Sequence, residues 1–513
     1  MITERLKLYL VVCIGLMATP FLGASVATGS FFWIGVAIAV GGFLLLLFGP
    51  TEYVWTLLVL GVVADFRPNF LKFNISFAEL GTVILFLNLI VKRSILQRKA
   101  LQIGPLLFWT PIMIIVGIIF LHTLKGGDLG FKILGGGAYG ARKHLPFFLA
   151  VMSYLIVINS VSRGKASLRH LPLLYVIFVF IGSLPGLITT FIPALTPLAY
   201  FLTGTANIEG YREAISLRGV QLERIGAFGG IGIALQLYLV SWYSIKNWWR
   251  PERWWVATLS ALALFLCMRS GFRSALLGYV FVTAIACLIA LKWRSVVVAL
   301  LAAVLCFFLA LGNNNLFHLP VAAQRALSIL PGDWDPDAVY SAEASSDFRR
   351  TIQQIYLKSY FRPWSLIGSG FKYNPNEAAK YEGPAGTLPP AETYRGFVIR
   401  KEFHIGWISL FDSVGIIGSL AFIWFTINIL RRMFSWIKRN GLSALSVPQR
   451  WLIIIYGQTI IPFWTVFGDL SNVIVMLCII AGLTHVLFPK RAAVPQVEPQ
   501  EKLTPQVPSP QMA

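Results

Sequence analysis

Long apolar runs, each bounded by charged or turn-forming residues, recur along most of this 513-residue chain. A helix needs about 20 apolar residues to cross the hydrocarbon core of a bilayer, so each run of roughly that length predicts a membrane span. The runs cover 8–28, 30–49, 53–64, 77–91, 106–121, 146–158, 171–192, 226–245, 254–268, 274–291, 296–311, 405–430, 451–467 and 473–488. They predict about fourteen helices, with the third and sixth the shortest. The first run has no convincing small-residue cleavage site and is followed at once by another, so it predicts a retained helix rather than a signal peptide.

One long polar interval interrupts the pattern, from Gly312 to Phe403, and within it residues 347–360 change to helical periodicity. Phe348, Ile352, Ile355 and Tyr360 fall on one face, with Arg349, Arg350, Gln353 and Lys358 polar. That predicts an amphipathic helix, suited to lying on a membrane surface over the mouth of a cavity. Residues 373–390, rich in Pro, Gly, Asn and Glu, predict an irregular loop. The organisation expected is an all-α polytopic membrane protein: a bundle over 1–311 with about eleven helices, a loop domain over 312–404, and about three helices over 405–488. The Pro- and Gln-rich residues 489–513 predict a disordered tail. Neither a repeat of twenty to fifty residues nor a pair of matching interrupted helices stands out, which counts against an inverted-repeat transporter.

Composition supports the same class: 57% hydrophobic residues, 13% charged and a mean hydropathy of +0.71 lie far from soluble proteins. With Met1 placed in the cytoplasm, the short loops on that side hold basic clusters such as Lys92, Arg93, Arg98 and Lys99, or Arg431, Arg432, Lys438 and Arg439. Their acids are Glu4, Glu52, Glu252, Glu498 and Glu501. The positive-inside rule then puts both termini in the cytoplasm and the 312–404 loop outside. The net charge of +21 reads as topology; the basic residues form no patch interleaved with exposed aromatics, so no nucleic-acid partner is expected. All five cysteines fall within predicted spans, which leaves no disulfide or CxxC pair for the outer loops.

This topology sends several ionisable groups to one membrane face. Arg224 ends the loop before the 226–245 span, Arg269 and Arg273 share a short turn between spans, and His404 closes the long loop. Charged groups at the lip of a bundle are expensive to dehydrate and usually face a cavity. Guanidiniums grip phosphate oxygens bidentately and an imidazole takes a proton near neutral pH, so the set suits a diphosphate clamp beside a general base. Taken singly, an arginine at a helix end is most often an interfacial anchor and a lone histidine a satisfied polar residue.

Other motifs point to less. Asp333, Asp335 and Asp337 begin like a calcium loop, but Ala338 and Ala344 stand where glycine and glutamate are needed, so a solvated acidic turn is the expectation. Gly135-Gly136-Gly137 and Gly126-Gly127 predict flexible loop rather than a dinucleotide fingerprint. Arg142, Lys143 and His144 predict interfacial anchors more than lipid-headgroup ligands. Gly368-Ser369-Gly370 is not a nucleophile elbow, which needs Gly-x-Ser-x-Gly after a strand.

The ordered wording of the second half goes further. Ser270-Gly271-Phe272-Arg273-Ser274-Ala275 resembles the Ser-Gly-Ser-Arg-Ser/Gly-Ala signature of the O-antigen ligase and polysaccharide polymerase superfamily, with Phe272 in place of a small residue. Arg224-Ile225-Gly226-Ala227-Phe228 is similar to that family's arginine before a Gly-x-Phe helix start. Arg349 or Arg350, then Pro363 to Gly370, then His404 and Gly415-Ile416-Ile417-Gly418 resemble its arginine helix, Pro-x-x-x-x-Gly-x-Gly segment, histidine and Gly-x-x-Gly helix. The resemblance spans about 223–430. It implies an inverting, metal-independent glycosyltransferase without cofactor in a bacterial inner membrane, acting on the periplasmic face. The donor would be an undecaprenyl diphosphate-linked glycan and the acceptor a glycan or lipid-linked hydroxyl. Arg224 and Arg273, with Arg269, would bind the diphosphate; Arg349 or Arg350 would guide substrate; His404 would activate the acceptor. The other class considered is a transporter or flippase for a lipid-linked anionic glycan.

Overall fold

A computed structural model of the chain describes residues 55–64, 76–126, 141–161, 166–203, 215–217, 220–222, 225–248, 250–328, 330–381, 390–465 and 468–489. The first two predicted spans, the glycines at 135–137, Arg224 and the tail from 490 lie outside these residues. Helices α1 (Thr56–Ala64), α2 (Phe77–Leu89), α3 (Leu106–Gly126), α4 (Leu145–Ser160), α5 (Leu171–Phe191) and α6 (Thr196–Thr203) come first. A ribbon of β1 (Ile215–Leu217) and β2 (Val220–Leu222) follows, antiparallel, with Ile215 opposite Leu222. The all-α expectation missed this ribbon, whose three-residue strands are too short to show an alternating pattern.

Beyond the ribbon run α7 (Gly226–Trp242), α8 (Trp254–Arg269), α9 (Arg273–Leu291) and α10 (Ser295–Gly312). Four shorter or polar helices then cover the predicted loop domain: α11 (Val321–Leu327), α12 (Pro336–Ile355), α13 (Pro375–Ala379) and α14 (Pro390–Ile399). The chain returns through α15 (Gly406–Asn440), α16 (Val447–Thr465) and α17 (Leu470–Leu487). Among the described residues six helical segments are long and apolar enough to cross a membrane: Leu106–Lys125, Arg142–Ser160, Leu168–Phe191, Arg273–Val297, Gly406–Asn440 and Leu470–Leu487. Each overlaps a run predicted from the sequence. Their outward surface suits lipid: on α5, Leu173, Ile177 and Phe180 are all exposed, a face that water would not tolerate uncovered.

The bundle core joins helices distant in sequence. α17 packs on α4, α15 on α3, and α7 on both α5 and α8. Small residues permit the closest approaches, as lipid-embedded helices require. A Cβ added to Gly232 on α7 would meet the Ala263 carbonyl of α8 at 2.6 Å and Cys267 Sγ at 2.7 Å. Some helix starts carry their own caps. Ser76 and Glu79 form a reciprocal capping box at α2, and the Asp469 carboxylate accepts from the Ser471 N–H at α17.

Two features of the loop region depart from the sequence reading. Helix α12 begins well before residue 347, because Asp335 accepts from the Asp337 N–H as N-cap and Pro336 occupies the first turn. The acidic run is thus a helix start rather than a free turn. The apolar face of α12 is also covered by protein: Ile352 and Tyr356 are buried with Val398 of α14, Phe403 and Ile408, flanked by Phe348 and Tyr394. This small core stands where a membrane surface was expected. The region read as irregular up to Pro390 contains α13, capped by the Asn374 side chain.

Helix α15 is interrupted. Gly415 has φ 65° and ψ −162°, which no helix accommodates, and the freed backbone groups are met by the segment 365–370. Ile416 N–H donates to the Ser365 carbonyl and Ile417 N–H to that of Leu366, both at 3.0 Å. Ser369 N–H donates to the Asp412 carbonyl at 2.7 Å. The two glycine motifs noted in the sequence are therefore the two halves of one joint. Irregular backbone within an apolar helix long enough to cross a membrane persists only when protein satisfies it.

Candidate functional site

His404 lies in the short connection between α14 and α15 and adopts a left-handed backbone with φ 52°, a conformation histidine enters more readily than most side chains. Its ring packs at a 44° tilt against Phe348 of α12, with centroids 6.0 Å apart. Burial pushes the imidazole below its ordinary pKa; the Glu402 and Asp469 carboxylates pull it back up, while the Lys143 and Arg349 cations reinforce the lowering. The group is thereby biased toward the neutral form that can accept a proton.

The partners of this imidazole come from four places in the chain. Arg349 sits one residue after Phe348 on α12, partly buried, and desolvation lowers its pKa. Lys143, in the turn before α4, donates to the Lys401 carbonyl at 2.9 Å and to Asp469 Oδ2 at 3.3 Å. Asp469 at the head of α17 also accepts from Ser409 Oγ of α15 at 3.2 Å. The starts of α15 and α17 converge here, and Ile405 at the α15 start supplies no side-chain cap.

Arg273 is placed beside this cluster, within electrostatic range of Arg349. Its turn is built locally: Ser270 Oγ accepts from the Phe272 N–H at 3.2 Å, and Gly271 takes φ 70°. The guanidinium, however, is already engaged. Nε donates to the Arg325 carbonyl at 3.0 Å, Nη1 to the Ala342 carbonyl at 3.2 Å, and Nη2 to Ser328 Oγ at 2.9 Å. Arg325 answers with Nη1 donating to the Gly271 carbonyl at 2.6 Å. Arg273 therefore pins α11 and α12 to the start of α9, and its fork is not the open bidentate grip expected of it.

Of the sequence-predicted residues, Arg273, Arg349 and His404 come together. Arg269 at the end of α8 is exposed. Arg350 is exposed and lies 3.8 Å from Asp347 on its own helix. Arg142, Lys143 and His144 are not plain interfacial anchors: Arg142 pairs with Glu79, Lys143 with Asp469, and buried His144 contacts Thr123 Oγ1 at 3.2 Å and stacks on Phe371. Among the described residues no group of three or more His, Cys, Asp or Glu is arranged to hold a metal ion.

Sequence reasoning missed a second polar cluster at the α15 break. Lys401 Nζ donates to Asp412 Oδ2 at 2.7 Å and also to Ser369 Oγ. These residues line a cavity of about 270 Å³ together with Tyr356, Tyr360 and Tyr373. Burial, reinforced by the Asp412 carboxylate, pushes the Tyr356 phenol far up. A separate, mostly apolar groove of about 380 Å³ runs along Gly226, Gly230, Ile233, Phe281 and Pro462, and includes Phe272 and Ser274 on either side of Arg273. No family model and no curated protein sequence matches the chain.

Proposed function

We propose that the chain is a membrane glycosyltransferase that moves a glycan from a polyprenyl diphosphate carrier to a hydroxyl acceptor. The observation that carries this reading is the convergence of Arg349, Arg273 and an imidazole of lowered pKa at the junction before α15. The apolar groove beside Arg273 suits the prenyl chain, and the tyrosine-lined cavity by Lys401 suits a sugar unit, with flat apolar faces rimmed by polar groups.

In this mechanism His404 takes the proton of the acceptor hydroxyl as its oxygen bonds to the anomeric carbon. The bond from that carbon to the diphosphate oxygen breaks and the configuration inverts. Negative charge grows on the leaving diphosphate, and Arg349 stabilises it, with Lys143 and any part of Arg273 that its internal bonds release. Arg224 belongs to the same proposal through its place before α7. Diphosphate is a good leaving group, so paired carboxylates are not required. The reading includes about fourteen spans, both termini in the cytoplasm of a bacterial inner membrane, and the 312–404 segment and site on the far side.

A transporter or flippase for a lipid-linked anionic glycan is the second reading, favoured by the interruption of α15 with an ion pair at the break. Purified protein supplied with a polyprenyl diphosphate glycan and a hydroxyl acceptor separates the two. Transfer should occur, and His404→Asn should slow it by about 10²- to 10⁴-fold while donor is still retained. Unchanged transfer in that variant removes His404 as base. Movement of donor across vesicle membranes with no transfer supports the second reading.

A further inference from the structure

A cavity of about 440 Å³ opens at the opposite end of α9 and α15 from Arg273 and His404. Its polar lining is cationic: Lys246 follows α7, Lys292 follows α9, and Arg450 lies in the first turn of α16. Ser244 and Ser443 add hydroxyls, and among the described residues no carboxylate lines it. None of the three cations forms an ion pair with a described residue. Arg450 is partly buried, and its Nε–H is buried with no acceptor among the described residues. A buried donor left unmet is costly and calls for a partner that the described residues do not provide. Lys292 also holds a left-handed backbone, φ 55°, at the point where α9 ends, which a lysine rarely adopts. The remaining wall is apolar and continuous with the helix bundle, from Val240 and Ile289 to Ile454.

We infer that this cavity binds a phosphate ester, held by Lys246, Lys292 and Arg450, and that its source is the headgroup of an anionic phospholipid whose acyl chains lie along the apolar wall. Interfacial anchoring alone would leave each cation in water along its own helix; here three elements bring them to one concavity, with an unmet guanidinium donor among them. Basic pockets between membrane helices recognise anionic headgroups by this arrangement. The site is independent of the glycan chemistry at the other end of the bundle.

The test uses the full chain, delipidated in detergent and returned to nanodiscs containing equal phosphatidylglycerol and phosphatidylcholine, with retained lipid measured by mass spectrometry after re-extraction. Wild-type protein should retain phosphatidylglycerol preferentially, and Lys292→Gln and Arg450→Gln should each weaken that preference about fivefold, the ~1 kcal/mol that one basic residue contributes near an anionic lipid. Arg294→Gln, an exposed neighbour outside the cavity, should leave it unchanged. Lys292 is exposed, so its variant keeps the test valid if Arg450→Gln fails to fold. Displacement of the lipid by millimolar inorganic phosphate, with no acyl-chain dependence, would keep the phosphate site and overturn the lipid source. Equal retention of both lipids by wild type, or an unchanged preference in Lys292→Gln, would overturn the site.

Discussion

Gly368 and Gly415 lie backbone against backbone, both in the left-handed region at φ 75° and 65°. A Cβ on Gly368 would meet the Gly415 nitrogen at 2.6 Å, and one on Gly415 would run into the Gly368 nitrogen. Either alanine substitution should lower stability by more than about 2 kcal/mol, combining ~1–2 kcal/mol for the backbone conformation with weakened hydrogen bonds across the joint. Because both act on one contact, the double variant should lose less than the sum. Fully additive losses of melting temperature would mean the two glycines serve separate purposes.

The Lys401–Asp412 pair has only 13% and 11% of its side chains exposed. Removing one partner leaves an uncompensated buried charge, so Asp412→Asn should cost about 3 kcal/mol. The paired replacement Lys401→Met with Asp412→Leu should restore most of the loss. Thermal unfolding in detergent checks both, and a neutral Asp412→Asn would show that water already reaches the break.

Arg273 and Arg349 should separate by the property each controls. Arg273→Lys loses bonds to Ser328 Oγ and the Ala342 carbonyl, so stability and transfer should fall together, with ~1.5–3 kcal/mol expected for each charge-assisted bond lost. Arg349→Lys should leave the melting temperature in place and weaken donor retention several-fold. The opposite pattern, a stable Arg273→Lys with poor retention, would make Arg273 the diphosphate ligand.

The lowered pKa of His404 has a definite sign. As pH falls, the unfolded chain takes up this proton first, near pH 6.5, while the folded imidazole resists. Its contribution to stability is therefore complete above about pH 6.5 and is lost as pH drops through the folded value. Transfer should decline below that folded value, where the base is protonated. His404→Asn should flatten the slope of stability below pH 6.5; an unaltered slope would assign the titration to another group.

Orientation can be read with an impermeant thiol reagent on intact cells, in a chain whose native cysteines are replaced. A cysteine at Ser345 on α12 should be labelled and one at Ser443 after α15 should not. Equal labelling would overturn the assignment of sides.

The six long apolar helices among the described residues were legible because such helices rest on composition over twenty-residue windows, which needs no knowledge of partners. The candidate site was legible only where a residue's strangeness is local. His404 and Arg273 stood out as ionisable groups beside apolar runs, whereas Lys401 and Asp469 became meaningful only through contacts with chain far away, Asp469 being held by Lys143 across 326 positions. The fork of Arg273 shows the converse: its position was conspicuous, but nothing in the sequence revealed that carbonyls of Arg325 and Ala342 had already claimed it. Asp335-Pro336 was a readable helix start that the spacing of acidic residues disguised as a solvated acidic turn. The joint between Gly368 and Gly415 was visible as two motifs and invisible as one contact.

The positive φ of His404 places position 404 under two separate selections. One acts on the main chain and favours glycine, asparagine, aspartate or histidine; the other acts on the ring, which packs against Phe348 and, in the proposed mechanism, accepts a proton. A valine there fails the first before the second is ever tested, whereas an asparagine passes the first and fails only the second. In a library of all replacements at this codon, abundance of folded protein and catalytic output should therefore rank the amino acids in two different orders, with histidine high in both.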